Sequence, residues 1–329
     1  MKIITFLFKI SFLFYASFSM AQVEVSRTVN LMGSVFQITV VDSNTISAQQ
    51  NIDKVIVEME RIENLISEWR PHTQISQVNQ NAGIRPVQVS SEVFNLTKKA
   101  IWFSEISSGA FDISMVGLDK IWKFDGSMEQ LPSRKQIKQS VANVGYKNIV
   151  LDSANSTIFL TKKGMKIGFG SIGKGYAADK GREFLQALGI KAGILNAAGD
   201  VATWGTQING KPWRIGVNNP LETGETLAVL EFSEQNAVTT SGAYEKYVEF
   251  HNKRYAHIIN PKTGYPTTEL LSVTIIGGSA EMCNGFSTSV MVLGLKKGIR
   301  LLKKFPDYDY VVVANDGKVV SSFCKAQGD

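Results

Sequence analysis

From Val35 to Val41 the chain alternates apolar and polar side chains, the pattern of a half-buried strand. Ser47 then reads as a helix cap. Behind it Ile52, Val55, Ile56, Met59, Ile62, Ile66 and Trp69 recur at helical spacing, which predicts a long helix with one core-facing stripe. A second helix is expected from Ser90 and Ser91 past Ile101. Two short strands follow, Asn148 to Leu151 and Thr157 to Thr161, around an Asp-Ser-Ala-Asn turn. After a strand-like Met165 to Ile167 and a glycine-rich loop, a helix should run from Lys174 to Leu188 and close at Gly189. From there to Ile276 the pattern is mostly strand: Ile194-Leu195, Trp213 to Val217, Thr226 to Phe232, Lys246 to Phe250 and Ser272 to Ile276. A helical region covers Ala280 to Phe305. A last hairpin pairs Tyr310 to Ala314 with Lys318 to Ser321 across Asn315-Asp316-Gly317. Strands and helices mix without strict alternation. The expected class is therefore α+β, with mixed, largely antiparallel sheets and packed helices.

The N-terminus changes the picture of where such a chain works. Lys2 and Lys9 precede an apolar run from Ile10 to Phe18, and Ser19-Met20-Ala21 puts small residues where a signal peptidase reads. The run is short of the roughly 20 apolar residues a membrane span needs. Residues 1–21 are expected to be a cleaved signal peptide and 22–329 one mature domain, delivered to the periplasm without a transmembrane anchor. No cysteine near the cleavage site offers a lipid attachment point; Cys283 and Cys324 are the only two, and free thiols are expected. The formal charge of +6 comes from scattered basic residues, with doublets such as Lys162-Lys163 and Lys303-Lys304. Those read as solvated faces, not a nucleic-acid stripe.

Gly168-Phe-Gly170-Ser-Ile-Gly173 matches a dinucleotide-binding glycine pattern, yet the acidic residue needed about 20 positions on to hold a ribose is missing. Gly168, Gly173 and Lys174 nearly spell a P-loop, but Gly175 stands where a hydroxyl should meet magnesium. What remains is a helix N-terminus with exposed backbone N–H groups, suited to a phosphate or pyrophosphate. Lys174 and the Ser171 hydroxyl are placed to join in. Glycines used purely for a tight turn are the competing reading.

Taken in order, a set of segments resembles the ApbE family of flavin transferases, with its T-fold-related architecture. They include Met32-Gly33-Ser34, Ile66-Ser67-Glu68-Trp69-Arg70, Ser108-Gly109-Ala110-Phe111-Asp112, Gly170-Ser-Ile-Gly173-Lys174-Gly175-Tyr176 and Asn196-Ala-Ala-Gly199-Asp200. Further along come Thr240-Ser241-Gly242-Ala-Tyr244-Glu245, His257-Ile258-Ile259-Asn260-Pro261 and Asn284-Gly-Phe-Ser287-Thr288. The resemblance implies an FAD:protein FMN transferase. It would split FAD, pass FMN to a Thr or Ser hydroxyl of a partner protein, and release AMP with Mg2+ on the pyrophosphate. The implied partners are acceptor flavoprotein subunits of membrane redox complexes carrying an Asp-Gly-x-Thr-Ser/Gly-Ala type motif.

On that reading Met32, Trp69, Ala110, Phe111, Asp112, Gly168, Lys174 and Ile258 would bind FAD, with Trp69, Phe111 and Met32 flanking a ring and Asp112 accepting from a ribityl or ribose hydroxyl. Plain core for Trp69 and Phe111, and a helix cap for Asp112, are the alternatives. His257, one of three histidines, is the candidate acid or base, with Tyr244 lining the same cleft. Ser171, Asn284, Ser287 and Thr288 would face the metal. The chain departs from the family there: Asn284 stands where aspartate is usual, and Asn260 where many members have aspartate. Magnesium prefers hard oxygens and usually a carboxylate, so a non-catalytic FAD carrier stays open, and so does a Mg-dependent FAD pyrophosphatase using water, since the same site serves both acceptors. Thr240-Ser241-Gly242-Ala243 faintly resembles an acceptor motif but lacks its aspartate, Ala237 standing there, so the acceptor is expected on another protein.

Overall fold

The computed structural model describes residues 22–323 apart from 223, 245 and 252. The expected signal peptide, residues 1–21, and Cys324 lie outside the described residues. The chain runs β1 (Val23–Leu31), β2 (Ser34–Asp42), α1 (Thr45–Ile66), α2 (Gln74–Gln80), β3 (Val87–Gln88) and α3 (Ser91–Ile106). A 3-10 turn (Ile113–Lys120), α4 (Arg134–Ser140), β4 (Ile149–Asp152) and β5 (Thr157–Leu160) lead to α5 (Gly173–Ala187). Then come β6 (Ala192–Ala197), β7 (Asp200–Trp204), β8 (Trp213–Asn218), β9 (Thr226–Phe232), β10 (Asn236–Gly242), β11 (Tyr247–Phe250), β12 (Lys253–Ala256) and β13 (Leu270–Gly277). The chain closes with α6 (Ala280–Leu293), α7 (Leu295–Leu302), β14 (Asp309–Ala314) and β15 (Val319–Ser321).

Eight strands form one sheet in the order β1-β2-β6-β7-β10-β13-β14-β15, and every neighbouring pair is antiparallel. This is the expected class. One face is apolar: Phe36, Ile38, Leu195, Val273 and Ile275 are fully buried. Helices α1, α5 and α6 pack across the sheet. The α1 stripe does what its spacing predicts, with Ile52, Val55, Met59 and Ile62 fully buried; each such side chain contributes about 1.5–3 kcal/mol on leaving water. The stripe ends earlier than its periodicity suggests, because α1 stops at Ile66 and leaves Trp69 exposed. The cap is Asn44, which accepts from the Ser47 N–H at 2.9 Å, while the Ser47 hydroxyl donates to Asp42. A small second core of Leu118, Trp122, Ile137 and Ile259 sits under the chain that follows α3.

Three local differences from the periodic reading have clear causes. Residues 165–167 belong to no strand; the Asn79 side chain donates to the Ile167 carbonyl and accepts from its N–H, taking the place of a strand partner. The region from Ala280 to Phe305 is two helices. Gly294, at φ 77°, breaks it, and the Glu269 carboxylate accepts from the Leu295 N–H to start α7. Finally, β1, β7 and β10 escape the pattern, β7 because it is buried throughout and shows no alternation.

Candidate active site

Seven chain segments converge on one cleft of about 390 Å³ beside the N-terminus of α5, a size that suits a small-molecule ligand. The first is the bend after α1. Ser67 leaves helical geometry, the Thr73 hydroxyl donates to its carbonyl at 2.6 Å, and Ser76 ties down Arg70 at 2.7 Å. Glu68 and Trp69 are thereby presented to the cleft, with Trp69 76% exposed and ready to cover a flat ring. The second follows α3, where Ser108 and Gly109 take positive φ and turn the chain into Ala110-Phe111-Asp112. Ala110 and Asp112 line the cleft. Phe111 is fully buried and packs on Phe103. Asp112 caps the 3-10 turn, accepting from the Ser114 N–H and hydroxyl and, through its other oxygen, from the Tyr146 N–H at 2.8 Å. Burial pushes its carboxyl above the usual range in spite of those bonds.

The glycine loop supplies Gly168, Gly170, Ser171 and Lys174. Its glycines divide the labour. A side chain at Gly168 would strike Val116 and Glu68, and one at Gly175 would strike the Ala280 backbone, so both serve close packing. Gly170 has open space in front of it. No side chain caps α5, which leaves its N-terminus for an anion. Gly175 therefore stands at the P-loop hydroxyl position because α5 must touch the start of α6.

That contact sets the position of α6. Asp179 on α5 accepts from the Ser279 hydroxyl and the Ala280 and Glu281 N–H groups, and Arg182 pairs with it at 2.8 Å. Asn284, Thr288 and Val292 then fall four residues apart on one face of α6 and all reach the cleft. Ser287 lies off that face. It is fully buried, shares a hydrogen bond with the Ser241 hydroxyl and donates to the Asn284 carbonyl. The Asn284 amide nitrogen donates to Asp200 at 3.2 Å, which orients the amide, and its buried oxygen has no hydrogen-bond partner among the described residues. Asp200 opens β7 directly after a two-residue turn in which Ala198 and Gly199 both take positive φ.

Lys246 and His257-Ile258-Ile259 also line the cleft. The His257 Nδ1–H donates to the Lys246 carbonyl at 3.2 Å in the neutral tautomer, leaving Nε2 as an acceptor with no hydrogen-bond partner among the described residues. Burial holds the imidazole below its ordinary value near 6.5, and the positive charges of Lys246 and Lys174 push the same way. Phe124 packs edge-on to the ring, and Trp122 stacks on Tyr255, bracing this segment against the second core.

Of the residues singled out in the sequence, Trp69, Ala110, Asp112, Gly168, Ser171, Lys174, His257, Ile258, Asn284 and Thr288 line the cleft together. Met32, Phe111, Tyr244 and Ser287 do not. Met32 is half-buried beside Gly173 at the head of α5. The Tyr244 ring covers Gly242, which lines the cleft, but borders a neighbouring depression itself. Sequence reasoning missed Glu68, Gly170, Asp200, Thr240, Ser241 and Lys246 as lining residues. Asp200 carried a usable signal, a lone carboxylate after Ala-Ala-Gly. The Thr240 and Ser241 hydroxyls are bonded to those of Thr274 and Ser287. Cys283 is a buried free thiol.

An antiparallel sheet backed by helices, with an aromatic edge, two lysines, an uncapped helix N-terminus and a neutral histidine, defines a site for a ring-bearing anionic ligand. The model of the ApbE family matches residues 32–312, and the chain belongs to that family. It is 31% identical over 270 residues to a Klebsiella pneumoniae protein named FAD:protein FMN transferase, covering 82% of this chain and 84% of that one. The crystal structure of the ApbE protein from Thermotoga maritima superposes with a TM-score of 0.83 at 30% identity, covering 91% of this chain and 97% of that one. The apo flavinyl transferase ApbE of Pseudomonas stutzeri gives a TM-score of 0.80 at 26% identity, covering 92% and 95%.

Proposed function

We propose that this chain is an FAD:protein FMN transferase that moves FMN from FAD to a Thr or Ser hydroxyl of a partner protein and releases AMP. The observation that carries the reading is one cleft in which His257, with its Nε2 free, faces the same space as Lys174, the α5 N-terminus and Trp69. Trp69 covers the isoalloxazine ring, and Asp112 accepts from a ribityl hydroxyl with its remaining lone pairs. Lys174 and the α5 N–H groups hold the pyrophosphate and offset charge that develops during phosphoryl transfer. His257 Nε2 takes the proton of the acceptor hydroxyl. The hydroxyl oxygen forms a bond to the FMN phosphorus, the bridging P–O bond breaks, and AMP leaves with that bond's electron pair. Asn284, Ser171 and Thr288, with Asp200 alongside, offer hard oxygens that fit Mg2+, and the orphaned Asn284 oxygen is the feature that asks for a cation. When bound, that ion neutralises pyrophosphate charge. Ser287 and Tyr244 act from behind the wall, Ser287 by holding Asn284 and Ser241.

The leader and small-residue cleavage site support export to the periplasm, where acceptor subunits of membrane redox complexes would present their motif; no helix among the described residues is long and apolar enough to cross a membrane. The acceptor lies on another protein, since Thr240 and Ser241 sit in a paired strand with their hydroxyls engaged. The test is incubation with FAD, Mg2+ and a peptide containing Asp-Gly-Ala-Thr-Ser-Ala. Covalent flavin fluorescence on the peptide and stoichiometric AMP are expected. FMN and AMP with unlabelled peptide would replace transfer by hydrolysis, and bound intact FAD would make the chain a carrier.

A further inference from the structure

A second cavity of about 400 Å³ opens beside the flavin cleft and shares Ala110 and Val292 with it. Its rim is cationic. Lys262, Lys297, Arg300 and Lys304 all line it, no carboxylate does, and none of the four forms an ion pair among the described residues. All four are exposed. Three come from α7 and its end, where five of the nine residues from Lys296 to Lys304 are basic and none is acidic. Asn260 sits in the same wall as a neutral amide, accepting from the Lys262 N–H at 2.9 Å. Like charges held close together repel one another and set up a positive field that draws an acidic partner. We propose that this groove is the docking surface for an acidic segment of the acceptor polypeptide, guiding its hydroxyl into the adjoining cleft. The proposal rests on the transferase reading above. The groove borders the cleft, with Ala110 and Val292 lining both, so an extended strand seated in it runs beside the cleft, and its charge selects a chain rich in Asp and Glu.

The experiment uses two fluorescent peptides that share an Asp-Gly-Ala-Thr-Ser-Ala centre and differ only in flanks of glutamate or lysine. Anisotropy at low salt should show the glutamate peptide binding about tenfold tighter or better, a preference that shrinks as salt screens it. Lys297→Glu with Arg300→Glu should abolish the preference while FAD binding is unchanged, and Lys297→Arg with Arg300→Lys should keep it. Equal binding of the two peptides, or a preference that survives charge reversal, overturns the proposal. So does weakened FAD binding in the reversed variant, which would give the groove to the nucleotide. Charge-dependent binding to phosphatidylglycerol vesicles without peptide discrimination would give it to a lipid surface and overturn the proposal as well. Binding is read without turnover. A charge-dependent preference with no FMN on either peptide would therefore count against the transferase reading and leave the groove standing.

Discussion

Replacing Asn284 by aspartate is the sharpest probe of the cleft. In the native chain the amide donates to Asp200 at 3.2 Å, so the pair is attractive without any ion. Asn284→Asp puts two carboxylates at that separation. Coulomb's law gives about 5 kcal/mol of repulsion at an effective dielectric of about 20. Protonating one carboxyl at neutral pH sets a ceiling of about 4 kcal/mol, for an ordinary carboxyl value near 4. The metal-free variant should therefore lose about 3–4 kcal/mol, about 6–8 °C in Tm at roughly 2 °C per kcal/mol for a chain of this size. Mg2+ should restore most of that loss, since the ion converts the repulsion into ligation, and calorimetry should show tighter Mg2+ binding than in the native chain. Differential scanning with and without Mg2+ reads both effects. An unchanged metal-free Tm would refute the Asn284–Asp200 contact, and unchanged Mg2+ affinity would refute Asn284 as a ligand position.

Other substitutions test the remaining walls. His257→Ala should lower transfer by about 10²–10⁴-fold while FAD affinity by fluorescence titration stays near native; an active variant removes the imidazole from the mechanism. Because burial and two lysines depress the His257 value, the base form is present at neutral pH, and kcat/KM should fall only as pH drops below the ordinary imidazole value near 6.5. Lys246→Gln keeps the backbone carbonyl that orients the ring but removes one of the two cations, so this acid limb should move upward; a downward shift contradicts the charge assignment. Gly175→Ala forces a methyl group against the Ala280 backbone and should cost about 1–3 kcal/mol in a denaturant titration, with Mg2+ and FAD affinity falling together because α6 moves.

Much of this site was legible one segment at a time. Asn284 and Thr288 share a helical face by spacing alone, and Lys174 follows a glycine loop that any reader would give to an anion. The departures from family pattern at Asn284 and Asn260 were also visible in the letters. Roles that depend on distant partners were not. Trp69 continues the α1 stripe in periodicity, yet the helix stops at Ile66 and the ring ends up in solvent at the cleft edge. Ser287 has the chemistry of a ligand but its hydroxyl bonds Ser241 across 46 residues of sequence.

Local pattern by itself determined the α1 stripe, the helix after the glycine loop, the final hairpin and the α+β class, because each depends on neighbours within a few turns. The tertiary structure alone decided which carboxylate meets Asn284, why Gly175 is glycine, and which tautomer His257 adopts. Those depend on an antiparallel strand order and on an Asp179 clamp between α5 and α6, about a hundred residues apart in the chain. Only packing brings such partners within hydrogen-bond range, where short-range forces act.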